Sequence, residues 1–133
     1  MNLFTYGSLM FPEVWRPVAG GENAGLAATL SDHAAWKVRG ESYPGLVPAS
    51  GRTTVGMLYF DVSAAAIGRL DAFEGTFYER TVVVVKTSEG VDVTAFAYVV
   101  AADHLHELEN TLWDAEEFRR FHLAGFLTAP PSA

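Results

Sequence analysis

The chain has 133 residues, half of them hydrophobic and only 19% charged, which excludes intrinsic disorder. With no cysteine, it can hold neither a disulfide framework nor a thiolate metal site nor a cysteine nucleophile. A formal charge of −7 opposes nucleic acid and anionic membrane as partners, and no apolar run approaches the roughly 20 residues of a membrane span.

The N-terminus shows no basic start before an apolar run, so it does not read as a signal peptide, and a cytoplasmic protein is expected. Length and the absence of a linker predict one domain over residues 1–128, followed by a short tail at 129–133. In chain order, residues 2–6 read as a strand stopped by Gly7-Ser8. Residues 25–30 and 34–38 are strand candidates separated by the turn-forming Ser31-Asp32. Tyr43-Pro44-Gly45-Leu46-Val47-Pro48 reads as a loop, because two prolines and a glycine oppose regular structure.

Residues 53–62 form a strand whose apolar middle calls for cover on both faces. Ser63 can cap a helix over residues 64–73, with Ile67, Leu70 and Phe73 on one face and Gly75 as its stop. Residues 81–86 and 91–100 make the strongest strand pair, joined by Ser88-Glu89-Gly90. A helix from about residue 115 to 127 closes the chain, with Trp113, Phe118, Phe121 and Gly125 turned inward. Strands outnumber helices and do not alternate with them, which predicts a small α+β domain on a curled, partly closed sheet. It has one central and one C-terminal helix.

Two segments could carry chemistry. Tyr6-Gly7-Ser8-Leu9-Met10 leaves a strand through a Gly-Ser turn, which can aim successive N–H groups at an anion, or can be an ordinary strand-ending turn. Gly7, lacking a Cβ, would let a ligand approach the backbone. Glu74 falls at a helix C-terminus, where backbone carbonyls and any burial both raise a carboxyl pKa toward neutrality. Such a group suits general acid–base catalysis. The alternative is a solvated carboxylate, or one paired with Arg80 or Arg69. His33, His104, His106 and His122 lack metal-ligand spacing, and no metal site is predicted. Ser8 lacks the G-x-S-x-G elbow of serine hydrolases, and Gly20-Gly21 lacks the G-K-[ST] of a phosphate loop.

Taken together, Tyr6-Gly7-Ser8-Leu9, Tyr43-Pro44-Gly45-Leu46-Val47-Pro48 and Gly56-Met57-Leu58-Tyr59 resemble segments of the gamma-glutamylcyclotransferase-like family. Leu70-Asp71-Ala72-Phe73-Glu74-Gly75, Tyr78-Glu79-Arg80 and Ala97-Tyr98-Val99 continue the resemblance in the same order. The ending from Trp113 resembles the tail of small bacterial members. Ser8 stands where many relatives carry threonine. The resemblance implies a mixed barrel-like fold with a cavity beside the first-strand loop. It further implies release of 5-oxoproline from a gamma-glutamyl amide by attack of the α-amine on the γ-carbonyl. Glu74 would be the catalytic acid/base, and Tyr6, Gly7, Ser8 and Leu9 would hold the glutamyl part. Tyr98 is a further candidate substrate contact, or a packing residue with its hydroxyl at the rim. The implied partner is a small gamma-glutamyl compound, with no metal or organic cofactor. Two other outcomes fit the same motifs: acyl transfer or hydrolysis, and non-catalytic binding of a gamma-glutamyl metabolite.

Overall fold

Six strands hydrogen-bond into one sheet: β1 (Leu3–Thr5), β2 (Gly25–Val38), β3 (Pro44–Tyr59), β4 (Tyr78–Thr87), β5 (Asp92–Val100) and β6 (Leu108–Leu112). Among the described residues four α-helices accompany them: α1 (Pro12–Ala19), α2 (Ala64–Glu74), α3 (Ala115–Phe121) and α4 (Leu123–Thr128). These assignments come from a computed structural model, which describes residues 1–128; the expected tail at 129–133 lies outside the described residues. Five strands close on themselves in the order β1-β3-β2-β4-β5, because β1 pairs antiparallel with β3 and parallel with β5. β6 extends the sheet along the far end of β2, at Trp36↔Leu112 and Val38↔Leu108. The architecture is the mixed α+β, barrel-like sheet that the sequence led us to expect.

Closure inside and helices outside together explain why the C-terminal part of β3 is apolar on both faces. Phe4, Ala28, Leu30, Leu46, Leu58, Val83, Val85, Ala95 and Ala97 form one buried cluster to which every barrel strand contributes, so it fills the interior. A second cluster lies outside the barrel, where Leu3, Trp15, Tyr59, Ile67, Leu70 and Phe118 bring α1, α2 and α3 onto the strands. Trp15 stacks on Tyr59 at 3.8 Å between ring centroids. Successive residues such as Leu3 and Phe4 point to opposite sides of β1 and enter different cores. Among the described residues no helix is long and apolar enough to cross a membrane.

Several local expectations hold. Ser63 caps α2 by accepting from the Ala66 N–H at 3.1 Å, and Gly75 ends the helix with φ 69°. β4 and β5 pair antiparallel from Tyr78↔Val100 to Lys86↔Asp92, with Gly90 in the turn at φ 82°.

Others need correction. The two candidates at 25–30 and 34–38 are one strand, β2, with an irregularity between Ser31 and His33. Asp32 takes a left-handed φ of 57° there, and its carboxylate accepts from the Gly51 N–H at 3.0 Å. The segment read as a loop at 43–48 already belongs to β3 from Pro44 onward. Its prolines pair with Lys37 and His33 on the β2 side, and β5 meets this part of β3 only at Leu46↔Val99. A proline is tolerated where few ladder bonds are required.

The closing helix is two helices broken at His122, and Phe121 is 70% exposed rather than inward. α1 and β6 were not anticipated. In α1, Pro12 occupies the first turn, where no N–H is needed, and Pro17 sits inside a helix too short to be seen by its periodicity.

Candidate active site

β1 ends at Thr5, and the chain turns through Tyr6 and Gly7 into a 3₁₀ turn, Ser8–Met10, before entering α1. Within the turn Met10 N–H donates to the Gly7 carbonyl and Phe11 N–H to the Ser8 carbonyl. The N–H groups at the start of such a turn have no partner inside it. From behind, the Tyr59 hydroxyl donates to the Leu9 carbonyl at 3.1 Å and fixes the turn against the outer core.

Facing this turn, Glu74 is the last residue of α2 and only 9% exposed. It makes no hydrogen bond or ion pair among the described residues. Both arginines that could have paired with it are engaged elsewhere. Arg80 Nε donates to Asp71 Oδ1 at 3.1 Å, and Arg69 Nε donates to the Ala19 carbonyl at 3.2 Å. Burial alone pushes the Glu74 carboxyl up to about 8 from an ordinary value of 4.5.

The turn and the glutamate share one small pocket, which also touches Tyr43, Pro44, Tyr78 and Tyr98. Four tyrosines line it, and three of their hydroxyls have protein partners. The Tyr6 hydroxyl donates to the Tyr98 carbonyl at 2.5 Å, Tyr78 to the Pro44 carbonyl at 2.6 Å, and Tyr98 to Asp71 Oδ1 at 2.7 Å. Burial raises all three phenol pKa values, and the Glu74 charge raises each further, so the hydroxyls and the carboxyl are electrostatic neighbours. All six residues singled out from the sequence, Tyr6, Gly7, Ser8, Leu9, Glu74 and Tyr98, line this pocket.

The family sequence pattern described as "Gamma-glutamyl cyclotransferase, AIG2-like" matches residues 3–119, a span that contains every element of the pocket. The chain belongs to this family. It is similar to AIG2-like protein D of Arabidopsis thaliana, 33% identical over 128 residues, covering 95% of this chain and 84% of that protein. A solution structure of an Arabidopsis thaliana protein is 28% identical and superposes with a TM-score of 0.76, covering 96% of this chain and 77% of that one. A solved structure titled "Gamma-glutamyl cyclotransferase" shares the fold at a TM-score of 0.68, with 19% identity over 81% of this chain and 68% of its own.

Within this AIG2-like domain, Gly7 has a structural duty that sequence reasoning did not see. A Cβ placed there would lie 2.8 Å from both Cγ and Cδ of Pro44, so the absence of a side chain lets β3 close over the turn. Sequence reasoning also passed over Tyr43, Pro44 and Tyr78 as pocket residues. The available signal for Tyr78 was its place four residues after Glu74, where the chain leaves α2 through Gly75–Phe77 and starts β4. Tyr98 does line the pocket, but its hydroxyl is engaged by Asp71 rather than free.

Proposed function

We propose that this protein is a gamma-glutamyl cyclotransferase, which releases 5-oxoproline from a small gamma-glutamyl amide with Glu74 as general acid and base. The observation that carries the reading is a buried carboxyl with no hydrogen-bond or ion-pair partner among the described residues, facing a backbone turn across a small pocket. Membership of the AIG2-like family supports it.

The substrate's α-ammonium must lose a proton before its nitrogen can attack. An arriving ammonium favours the ionised form of Glu74, because an opposite charge offsets the cost of burial. Glu74 accepts one proton, and the neutral amine adds to the γ-carbonyl carbon. N–H groups at the start of the Ser8–Met10 turn stabilise the oxygen as it becomes negative. Glu74 then donates to the amide nitrogen, the carbon–nitrogen bond breaks, and the carbonyl re-forms. Over the cycle the attacking nitrogen loses two protons and the departing nitrogen gains two. Glu74 carries each in turn and ends as it began. Confinement of a folded glutamyl chain favours the five-membered ring by proximity.

The test is incubation with a panel of gamma-glutamyl amides whose leaving groups are alkylamines, amino acids and peptides, with mass-spectrometric detection of 5-oxoproline. Release of 5-oxoproline with the matching free amine is expected for at least one class. Glutamate in place of 5-oxoproline would assign hydrolysis, and an unchanged panel would overturn the catalytic reading.

A further inference from the structure

We propose that the pocket recognises an ammonium group through a cage of oxygen acceptors, and that Asp71 is the positioning residue that keeps Tyr98 in the accepting orientation. This rests on the reading of the pocket as a gamma-glutamyl site and names how its cationic end is selected.

A phenol carries one proton and can donate only once. The Tyr6 and Tyr78 protons go to main-chain carbonyls, and the Tyr98 proton goes to a carboxylate oxygen. None of these partners can donate back, and the Leu46 N–H already faces the Tyr6 oxygen, so the lone pairs left to accept from a ligand are those of Tyr78 and Tyr98. Glu74, when ionised, is likewise an acceptor. Among the described residues no lysine, arginine or histidine lines the pocket; the Thr5 hydroxyl is spent on the Met57 carbonyl at 2.9 Å, and the Ser8 and Tyr43 hydroxyls, which have no hydrogen-bond partner among the described residues, can accept as well as donate. The pocket therefore has two chemically distinct sides. Backbone N–H groups of the first turn suit a carboxylate or carbonyl oxygen, while Glu74 and the Tyr78 and Tyr98 hydroxyls suit a cation with several protons to give. An α-amino acid end presents that pair.

Of the three phenol partners, only Asp71 is a side chain. It lies three residues before Glu74 on α2, which places both carboxylates on one face of the helix. Arg80 steadies it: the guanidinium donates to the same Oδ1 that receives the Tyr98 hydroxyl, and it lies 4.6 Å over the Phe96 ring. A phenol donating to a carboxylate is a better acceptor, because hydrogen bonds in a chain polarise one another. Without Asp71, the Tyr98 hydroxyl is free to turn its proton into the pocket and meet the ammonium with a donor.

The experiment compares two ligands by calorimetry in a Glu74→Gln background, where turnover does not consume them. One is gamma-glutamyl methylamide. The other is glutaric acid monomethylamide, the same molecule without the α-amine. The expected result is a preference for the amine-bearing ligand that Asp71→Ala lowers about tenfold, the scale of one hydrogen bond to a charged group. Affinity for glutaric acid monomethylamide should stay unchanged. Asp71→Asn should restore the preference, because one carbonyl oxygen at the Oδ1 position serves both Tyr98 and Arg80. Tyr98→Phe should match Asp71→Ala, and the double variant should lose no more than either alone. Arg80→Gln should leave the preference largely intact.

Equal loss of both ligands in Asp71→Ala, or no loss of either, would overturn the proposal, and so would an absence of binding. An amine preference set by Asp71 in a protein whose Glu74 form never yields 5-oxoproline would sustain the cage and reject the cyclotransferase. Cyclisation with an Asp71-independent preference would do the reverse.

Discussion

Glu74 concentrates the chemistry of this protein in one titration. Its carboxyl is raised to about 8 in the fold against an ordinary 4.5, so the folded state holds that proton more tightly than the unfolded chain does. The stability tied to the neutral carboxyl is fully present below about pH 4.5 and lost as pH rises through about 8. At about 1.4 kcal/mol per tenfold change in proton affinity, the loss is at most ~5 kcal/mol. Glu74→Gln removes this burden. Urea denaturation should find the two proteins similar near pH 4.5 and the Gln variant more stable at pH 9. An equal difference at both pH values would contradict the buried, unpaired carboxyl.

The same value shapes the rate. Productive encounter requires an ionised Glu74 and an ammonium, or the equivalent pair with the proton exchanged. Since a free α-amine also titrates near about 8, kcat/KM should be bell-shaped with its maximum close to that pH. The residual activity of Glu74→Gln should lack the ascending limb. A flat profile from pH 6 to 9 in the parent would remove Glu74 from the proton path.

At the scale of elements, the pocket depends on how closely β3 packs over the first turn. Gly7→Ala puts a methyl 2.8 Å from two Pro44 ring carbons, which forces the turn and the strand apart. The variant should lose most of its activity and melt at a lower temperature, and Pro44→Ala in the same chain should recover part of both. Gly7→Ala with unchanged activity would mean that the contact does not hold the turn.

Legibility in the sequence also varied by element. Ser63, Gly75 and Gly90 each signal a boundary through local chemistry, and the structure places them at those boundaries. Glu74 and the first turn stood out for the same reason, since a helix-end carboxylate and a Gly-Ser turn are local features. Pro44 and Pro48 misled, because the ladder bonds they cannot make are not demanded where β3 runs mainly against β2. Tyr78 was signalled only by its place four residues after Glu74, and the contact made by Asp71 gave no warning. Their importance lies in hydrogen bonds to Pro44 and Tyr98, 34 and 27 residues away in the chain.

At the scale of the whole molecule, barrel closure turns a strand-rich sequence into a stable frame for the pocket. Closure joins Leu3 to Phe96, and β6 joins Trp36 to Leu112, pairings that no local pattern could announce. The sheet-dominated class and its curling toward a barrel were legible from element order and the family resemblance, whereas the particular pairings that close the ring were not. Leu58 is fully buried in the barrel interior, away from the pocket lining. Leu58→Ala should cost about 2–5 kcal/mol by urea denaturation, from lost transfer energy and the cavity left behind. The pH–rate profile should keep its shape. A cost below about 1 kcal/mol would mean that the interior is not packed as a core.

The account as a whole depends on Glu74 moving the protons. The most direct measurement is the rate of 5-oxoproline formation by Glu74→Gln at saturating substrate, beside the parent protein, on a gamma-glutamyl amide that the parent cyclises. Loss of general acid–base catalysis costs about 10²–10⁴-fold, so turnover should fall by at least a hundredfold while the variant stays folded and binds the substrate. A folded Glu74→Gln protein that forms 5-oxoproline at a rate near the parent's would contradict the account.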